Sequence, residues 1–374
     1  MKIGLLSPYC SQNHGTVLQA FALAYKIKQL GKDCEYLRWN LLNPSTWGKV
    51  VFLLKHPLFL IRSKQTRKKN SKDLDYSFLR EPDFVSIIKK NERFVEENTP
   101  VSQKLYYSDD ITDALIEYDH FIVGSDQTWC PDALYQYSPY YLPYVNKKIK
   151  SSYACSMGRP VDEVNFKKFL KNRLRSFDNV SCRDRSNAIM LSDLLNRSVP
   201  NVLDPTLLLN KNEWKPYMAK VENMPERYIV CYILGEKKVI GEYANRMGKE
   251  LGIPVYYIMT RPSSCQYSNV LKDVGAAEFL WLIDNCEYLV TDSFHGTIFA
   301  INFHKQVIAF DKHEGNMYDN GRIKDVLSSY GIEQCYIPDS SDKEFPKAID
   351  YCAVDEILQN RRNLSLDYLE TIIK

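Results

Sequence analysis

At 374 residues, 45% hydrophobic and 25% charged, the chain has an ordered globular composition but too much length for one core, so two domains of about 150–200 residues are expected. A net charge of +3 gives no global electrostatic case for nucleic-acid binding, and the absence of any run of ~18 apolar residues excludes a spanning helix. The N-terminus turns polar after Leu6, unlike a signal peptide, and ten scattered cysteines without a C-x-x-C pair suit reduced thiols in the cytoplasm better than disulfides or a zinc site.

The first forty residues read as β-α-β. Lys2–Leu6 is a short apolar strand, and Ser7–His14 is a polar loop. Over Thr16–Leu30 the apolar positions Val17, Ala20, Phe21, Ala24 and Ile27 repeat at helical spacing, and Gly31 stands where a C-terminal cap is expected. Cys34–Trp39 is the next strand, which opens a parallel, doubly wound sheet. Residues 41–103 break this rhythm and read as a basic, helical insertion. Strands return at His120–Val123 and Lys150–Ala154; Phe166–Asn179 is a helix, Val180–Cys182 a strand and Ser186–Leu195 a helix, before the turn at Asp204-Pro205.

A second unit begins near Arg227. Its expected strands are Tyr228–Leu234, Val255–Ile258, Tyr288–Thr291 and Val307–Phe310. Its helices are Lys238–Leu251, Phe279–Asn285, Phe294–Phe303 and Ile323–Tyr330, followed by a terminal helix over Asp355–Ile373. The fold class is therefore α/β, with two facing Rossmann-like domains and a cleft between them. Residues 1–206 form the first, 207–225 a linker, 226–353 the second, and 354–374 a C-terminal helix.

In open parallel sheets, ligands collect beyond the carboxyl ends of the strands. Three stretches stand there. In NHGTVLQ, Asn13, His14, Gly15, Thr16 and Gln19 open a helix whose free N–H groups either hold a ligand or are simply capped by Asn13. In GSDQTW, Asp126 and Gln127 carry the donors and acceptors that bind sugar hydroxyls. Trp129 offers either a flat sugar face or a core plug, and the Tyr-rich run at 135–144 has the same two readings.

The third stretch is VTDSFHGTIFA. Ser293 is a helix cap, with Phe294, His295, Gly296 and Thr297 in the first turn. His295 is either a general acid–base or a histidine satisfied by local backbone. Arg183 ends another strand, and Arg322 begins a helix, where a cation is mildly unfavourable unless it faces an anion. No P-loop, G-x-G-x-x-G, nucleophile–base pair or metal-ligand spacing is present.

Taken in order, HGTVLQAFAL, FIVGSDQTW, KIKSSYACSMG, VSCRDRS, VLDPTLLL and VTDSFHGTIFAINF resemble the polysaccharide pyruvyl transferase family. The resemblance covers most of the chain outside residues 41–103 and the extreme C-terminus. It implies a GT-B type arrangement of the two domains. It also implies transfer of the enolpyruvyl carbons of phosphoenolpyruvate to two hydroxyls of one sugar in a surface polysaccharide, capsule or exopolysaccharide, with phosphate released.

On that footing His295 matches the acid–base residue, and Arg183 matches an arginine associated with the donor. The 293–297 turn and Arg322 complete the donor side, while Asn13–Gln19, Asp126, Gln127 and Trp129 face the acceptor. Phosphoenolpyruvate is then a substrate and no cofactor or metal is implied. Two residues before His295 many family members carry arginine; here the position is Ser293, which lacks the charge. That departure keeps two alternatives open: a nucleotide-sugar glycosyltransferase of the same framework, and a non-catalytic saccharide-binding protein.

Between Leu41 and Lys69 lie seven Lys/Arg and no acidic residue, interleaved with VVFLL and PLFLIR. This pattern suits either a peripheral helix on an anionic membrane, useful for a lipid-linked acceptor, or a helical flap with solvated charges.

Overall fold

A computed structural model describes residues 1–41, 43–57, 59, 77–107, 114–131, 135–142, 145, 149–312, 317–338 and 343–374. Most of the basic run at 41–69 beyond His56, and Tyr144 of the tyrosine-rich run, lie outside the described residues.

The first sheet consists of β1 (Lys2–Leu6), β2 (Asp33–Asn40), β3 (Val101–Tyr107), β4 (His120–Val123) and β5 (Ile149–Ser152), all parallel, in the order β3-β2-β1-β4-β5. The second consists of β6 (Ile229–Tyr232), β7 (Val255–Ile258), β8 (Val270–Leu271), β9 (Tyr288–Thr291), β10 (Gln306–Phe310) and β11 (Tyr336–Ile337). It too is parallel, in the order β11-β10-β9-β6-β7-β8. Each order reverses once, between β1 and β4 and between β6 and β9, as in Rossmann-type sheets.

The helices that position the site are α1 (His14–Gln29), α2 (Thr46–Lys55), α3 (Pro82–Asn98), α4 (Val164–Leu174), α5 (Arg185–Leu195), α6 (Lys238–Leu251), α7 (Ala276–Asn285), α8 (Phe294–Asn302), α9 (Met317–Ser329) and α10 (Tyr351–Ile372). Helix α1 carries apolar residues all round, and Val17, Leu18, Ala20, Phe21, Ala22, Leu23, Ala24 and Ile27 are all buried. A helix of that kind has no solvent face. It lies between its own sheet and the second domain, in one apolar cluster that runs through Trp214 and Phe279 to Ile298 and Phe299 of α8. The two domains therefore share a continuous core.

The structure corrects the reading of residues 41–103 as a single insertion. Pro82 starts α3 at its first turn, where a missing N–H costs nothing, and Val101–Gln103 already belong to β3. Helix α3 thus forms part of the connection from β2 to the edge strand β3 within the first sheet. The expected strand at Val180–Cys182 is reduced to isolated parallel bridges, Ser151 to Asn179 and Cys155 to Cys182. The C-terminal helix α10 returns to the first domain: Leu203 N–H donates to Ser365 Oγ at 2.9 Å and Tyr368 Oη donates to Ser152 O at 2.9 Å.

Two buried histidines give this core a pH signature. His120 in β4 contacts Ser151 Oγ at 3.0 Å, and burial lowers its pKa to about 4. Burial does the same to His14, also to about 4, against a weaker opposing contact with Asn91. The unfolded chain, titrating near 6.5, takes up these protons first, so stability is complete above pH 6.5 and falls as pH drops toward 4. Roughly 2–3 kcal/mol per histidine should be lost at pH 4.5 relative to pH 7.5. Denaturant midpoints at the two pH values check this, and His120→Gln should flatten the dependence.

Candidate active site

The carboxyl ends of the two sheets face each other, and the loops at both reversal points supply the site. At the first, Asn13 Oδ1 accepts from Gly15 N–H at 2.9 Å and caps α1, which is the structural role available to it from the sequence. After β4, Gly124 has φ 121°, and a Cβ there would stand 2.0 Å from Tyr153 O, so only glycine fits. The turn delivers Asp126, itself at φ 70°, toward the second domain. At the other reversal point Ser293 Oγ accepts from Gly296 N–H at 3.2 Å and caps α8. Asp292 accepts from Leu234 and Gly235 N–H at 2.6 and 2.7 Å, which ties the loop after β6 to the loop after β9.

Between these loops sits a buried charge cluster. Arg183 Nη1 donates to Asp204 Oδ2 at 2.6 Å and Nη2 to Asp126 Oδ1 at 3.1 Å. Thr16 Oγ1 donates to the other Asp126 oxygen at 3.0 Å. Asp204 Oδ1 accepts from Thr206 N–H and Oγ1, and Ser125 Oγ reaches Oδ2 at 3.3 Å. His295 Nε2 stands 3.6 Å from Asp204 Oδ2, an ion-pair rather than a hydrogen-bond distance, and among the described residues it has no hydrogen-bond partner although it is buried.

Burial alone would raise both carboxyls. For Asp204, His295, Arg183 and the Thr206 N–H outweigh it and hold the group well below the usual range. For Asp126, Arg183 and His295 lead the opposing effects. Asp204, read in the sequence only as part of an Asp-Pro turn, is the hub of the cluster. Arg183, expected to face the donor, already serves two carboxylates, and its buried Nε has no partner among the described residues.

The remaining expected residues divide. Phe294 lies under two guanidiniums, 4.5 Å from Arg183 and 5.8 Å from Arg322. With its amide oxygen toward Arg322, Gln127 accepts from both terminal nitrogens at 3.0 and 3.2 Å, which bridges the domains. Thr297 Oγ1 is spent on Ser293 O at 2.9 Å, and Gly296 packs against Thr291.

Three expected acceptor residues present no free face. Trp129 is fully buried, donates to Tyr140 O at 3.2 Å and packs edge-on against Phe177, so it plugs the core. Gln19 is fully buried and donates to Pro8 O and Thr16 O. His14 is stacked on Tyr232 and tilted against Phe279 inside the domain contact.

Beside the cluster, and between the domains, lies a cavity of about 320 Å³. Its lining includes Arg159, Arg183, Arg185, Arg322 and Arg361, against Asp184 and Asp325. Arg183 is taken up by Asp126 and Asp204 and Arg159 pairs with Glu163, so Arg185, Arg322 and Arg361 stand against Asp184 and Asp325, and with the first turn of α5 they suit a small anion. Arg159, Arg185 and Arg361 were not legible as site residues, because nothing in the sequence brings positions 159, 185 and 361 together. Arg361 is fixed by Ser329 Oγ at 2.7 Å and Asn201 Oδ1 at 3.1 Å. Phe294 and Arg183 line the cavity and His295 does not, so the path from cavity to imidazole runs past those two side chains.

Gly15, in the first turn of α1, lies against His295. A Cβ at Gly15 would lie 2.2 Å from the imidazole Cγ and Nδ1. The backbone there is ordinary helix, so Gly15→Ala strains the imidazole's position and not the chain. It should lower kcat by about 10²-fold, the usual cost of an ångström-scale misplacement, with a much smaller change in KM for the donor. Steady-state kinetics of the variant check this.

No curated protein matches this chain. Among solved structures, UDP-GlcNAc 2-epimerase from Methanocaldococcus jannaschii is similar over 97% of this chain and 93% of its own, with TM-score 0.53 and 12% identity. A second structure of that enzyme, in complex with UDP-GlcNAc and UDP, matches over 100% and 99% with TM-score 0.49 and 14% identity. The spinosyn rhamnosyltransferase SpnG covers 100% of both chains at TM-score 0.45 and 10% identity. At such identities the first likeness establishes fold alone, and it agrees with the GT-B type pair of parallel sheets. The family profile described as polysaccharide pyruvyl transferase matches residues 13–314, from the cap of α1 past Arg183, Asp204 and His295, and on that match the chain is an enzyme of the polysaccharide pyruvyl transferase family.

Proposed function

We propose that the enzyme transfers the enolpyruvyl carbons of phosphoenolpyruvate to two hydroxyls of one sugar in a surface polysaccharide or its lipid-linked precursor, forming a pyruvate ketal and releasing phosphate. The observation that carries this reading is the pairing of an arginine-lined cavity with the buried His295–Asp204–Arg183–Asp126 cluster. A donor with a carboxylate and a phosphate on one small carbon frame needs the first. Proton movement at its double bond needs the second.

The chemistry assigns roles to these groups. His295 delivers a proton to the methylene carbon, which creates an oxocarbenium-like centre. Asp204, held ionised throughout, orients the imidazole and stabilises positive charge on it. One sugar hydroxyl adds to that centre and its proton restores His295. The carbon–oxygen bond to phosphate then breaks, and the second hydroxyl closes the ketal as its proton passes to the departing phosphate. Arg322 and the cavity arginines hold the donor anions. Arg183 acts by keeping Asp204 and Asp126 in place. Acceptor hydroxyls meet Thr16, Asp126 and Gln127, which remain at the cleft while Trp129, Gln19 and His14 are packed away.

The test is phosphate release from phosphoenolpyruvate across a panel of saccharide acceptors, with the product ketal read by NMR. One phosphate per ketal is expected. Consumption of a nucleotide sugar, with phosphoenolpyruvate untouched for every acceptor, would overturn the reading.

A further inference from the structure

Helix α2 turns an apolar face to solvent. Trp47 is 75% exposed, Leu54 76% and Val50 41%, and spacings of three and four place them on one side of the helix. Phe52, almost fully buried, anchors the helix against Phe59 and Tyr137, with ring centroids 4.9 and 6.3 Å apart. His56 adds an edge-on contact with Tyr137 at 5.2 Å. The apolar face is thus fixed outward on a helix that is held from the other side.

Its place in the fold matters. Helix α2 follows β2, and Tyr137 follows β4 and Asp126, so the helix sits at the carboxyl edge of the first sheet, where the site opens. The stretch of sequence that contains it is one-sided in charge. Lys49 is exposed on α2, and the stretch from Leu41 to Lys69 holds seven Lys/Arg and no acidic residue, in a chain whose total is 49 basic and 46 acidic. Among the described residues no helix is long and apolar enough to cross a membrane. A tryptophan and two aliphatic side chains on one face, within a stretch of sequence that carries no acidic residue, match a surface that enters the headgroup region and draws on anionic lipid.

We propose that α2 is an interfacial helix that seats the carboxyl edge of the first sheet on an anionic lipid bilayer. The contact is peripheral and reversible, and it stands independently of the transfer reaction. Where the acceptor is lipid-linked, it brings the sugar to the side of the enzyme that carries Thr16, Asp126 and Gln127.

The experiment is flotation of the full chain with vesicles of phosphatidylcholine alone or with added phosphatidylglycerol. Binding is expected only with the anionic vesicles, with release on raising salt to about 0.5 M. Trp47→Ser/Leu54→Ser should lower the bound fraction on the order of tenfold, and Lys49→Glu should weaken it further. Both variants alter exposed side chains, so unchanged circular dichroism shows that the fold is intact. Absence of flotation with anionic vesicles, or equal flotation of the double variant, would overturn the proposal. So would Trp47-dependent self-association of a protein that ignores vesicles, which would assign the face to a protein partner.

Discussion

His295→Gln should lower kcat for acceptor-dependent phosphate release by about 10³-fold while leaving phosphoenolpyruvate affinity within a few-fold. The expectation follows from position. His295 is buried against Asp204, its Nε2 has no hydrogen-bond partner among the described residues, and it stands at the start of α8 beside the arginine-lined cavity without lining it. A side chain placed this way adds little to ground-state binding of the donor, so its removal is felt in turnover. Glutamine keeps a polar group of similar reach and cannot relay the proton. Near-normal turnover of this variant would remove His295 from the chemistry and leave it as a packing residue between Gly15 and Asp204.

Arg183→Met should be the most destabilising single change in the site. It strands two carboxylates that are buried side by side, and breaking such a pair costs about 3–5 kcal/mol. The sign of its pH dependence is specific. In the wild type Asp204 and Asp126 titrate below their unfolded range, so the stability they contribute is present above about pH 4 and is lost as pH falls. Without the guanidinium, burial and mutual repulsion push them the other way, and protonation then relieves the strain. The gap in stability between variant and wild type should therefore narrow from pH 7.5 to pH 5. The histidine contribution from His14 and His120 is common to both proteins and cancels in the difference. Arg183→Lys should fall between the two, since it keeps the charge but not the fork that serves both aspartates. Guanidinium denaturation at the two pH values reads the effect, and a gap that widens on acidification would contradict the paired-carboxylate account.

Where hydrophobic period was strong, the sequence announced its structure. Lys2–Leu6, Val255–Ile258, Tyr288–Thr291 and Lys238–Leu251 have the predicted bounds, because short apolar runs between turn residues and a clean helical stripe each admit one solution. Residues 82–107 did not announce themselves. The basic stretch before them masked the fact that Pro82 opens a helix and that Val101 begins an edge strand, whose alternation is weak because one side lies open.

The site shows a similar divide. Ser293 as a cap and His295 at a strand-to-helix turn were legible from local pattern. Trp129 had two equal readings, and only burial decides between a plug and a platform. Asp204 was hidden for a different reason: its importance comes from Arg183 and His295, 21 and 91 positions away, which no local pattern reports. Because Arg183 is paired with two carboxylates, the proposed function assigns the donor's anions to Arg322, Arg159, Arg185 and Arg361, which line the cavity from α9, the loop before α4, α5 and α10.

The proposed function stands or falls with the donor class, which calorimetric titration of the enzyme with phosphoenolpyruvate and, separately, with nucleotide sugars reads out. Saturable heat is expected with phosphoenolpyruvate, weakened by Arg322→Ala, and none with nucleotide sugars. Binding of a nucleotide sugar together with silence toward phosphoenolpyruvate would contradict it.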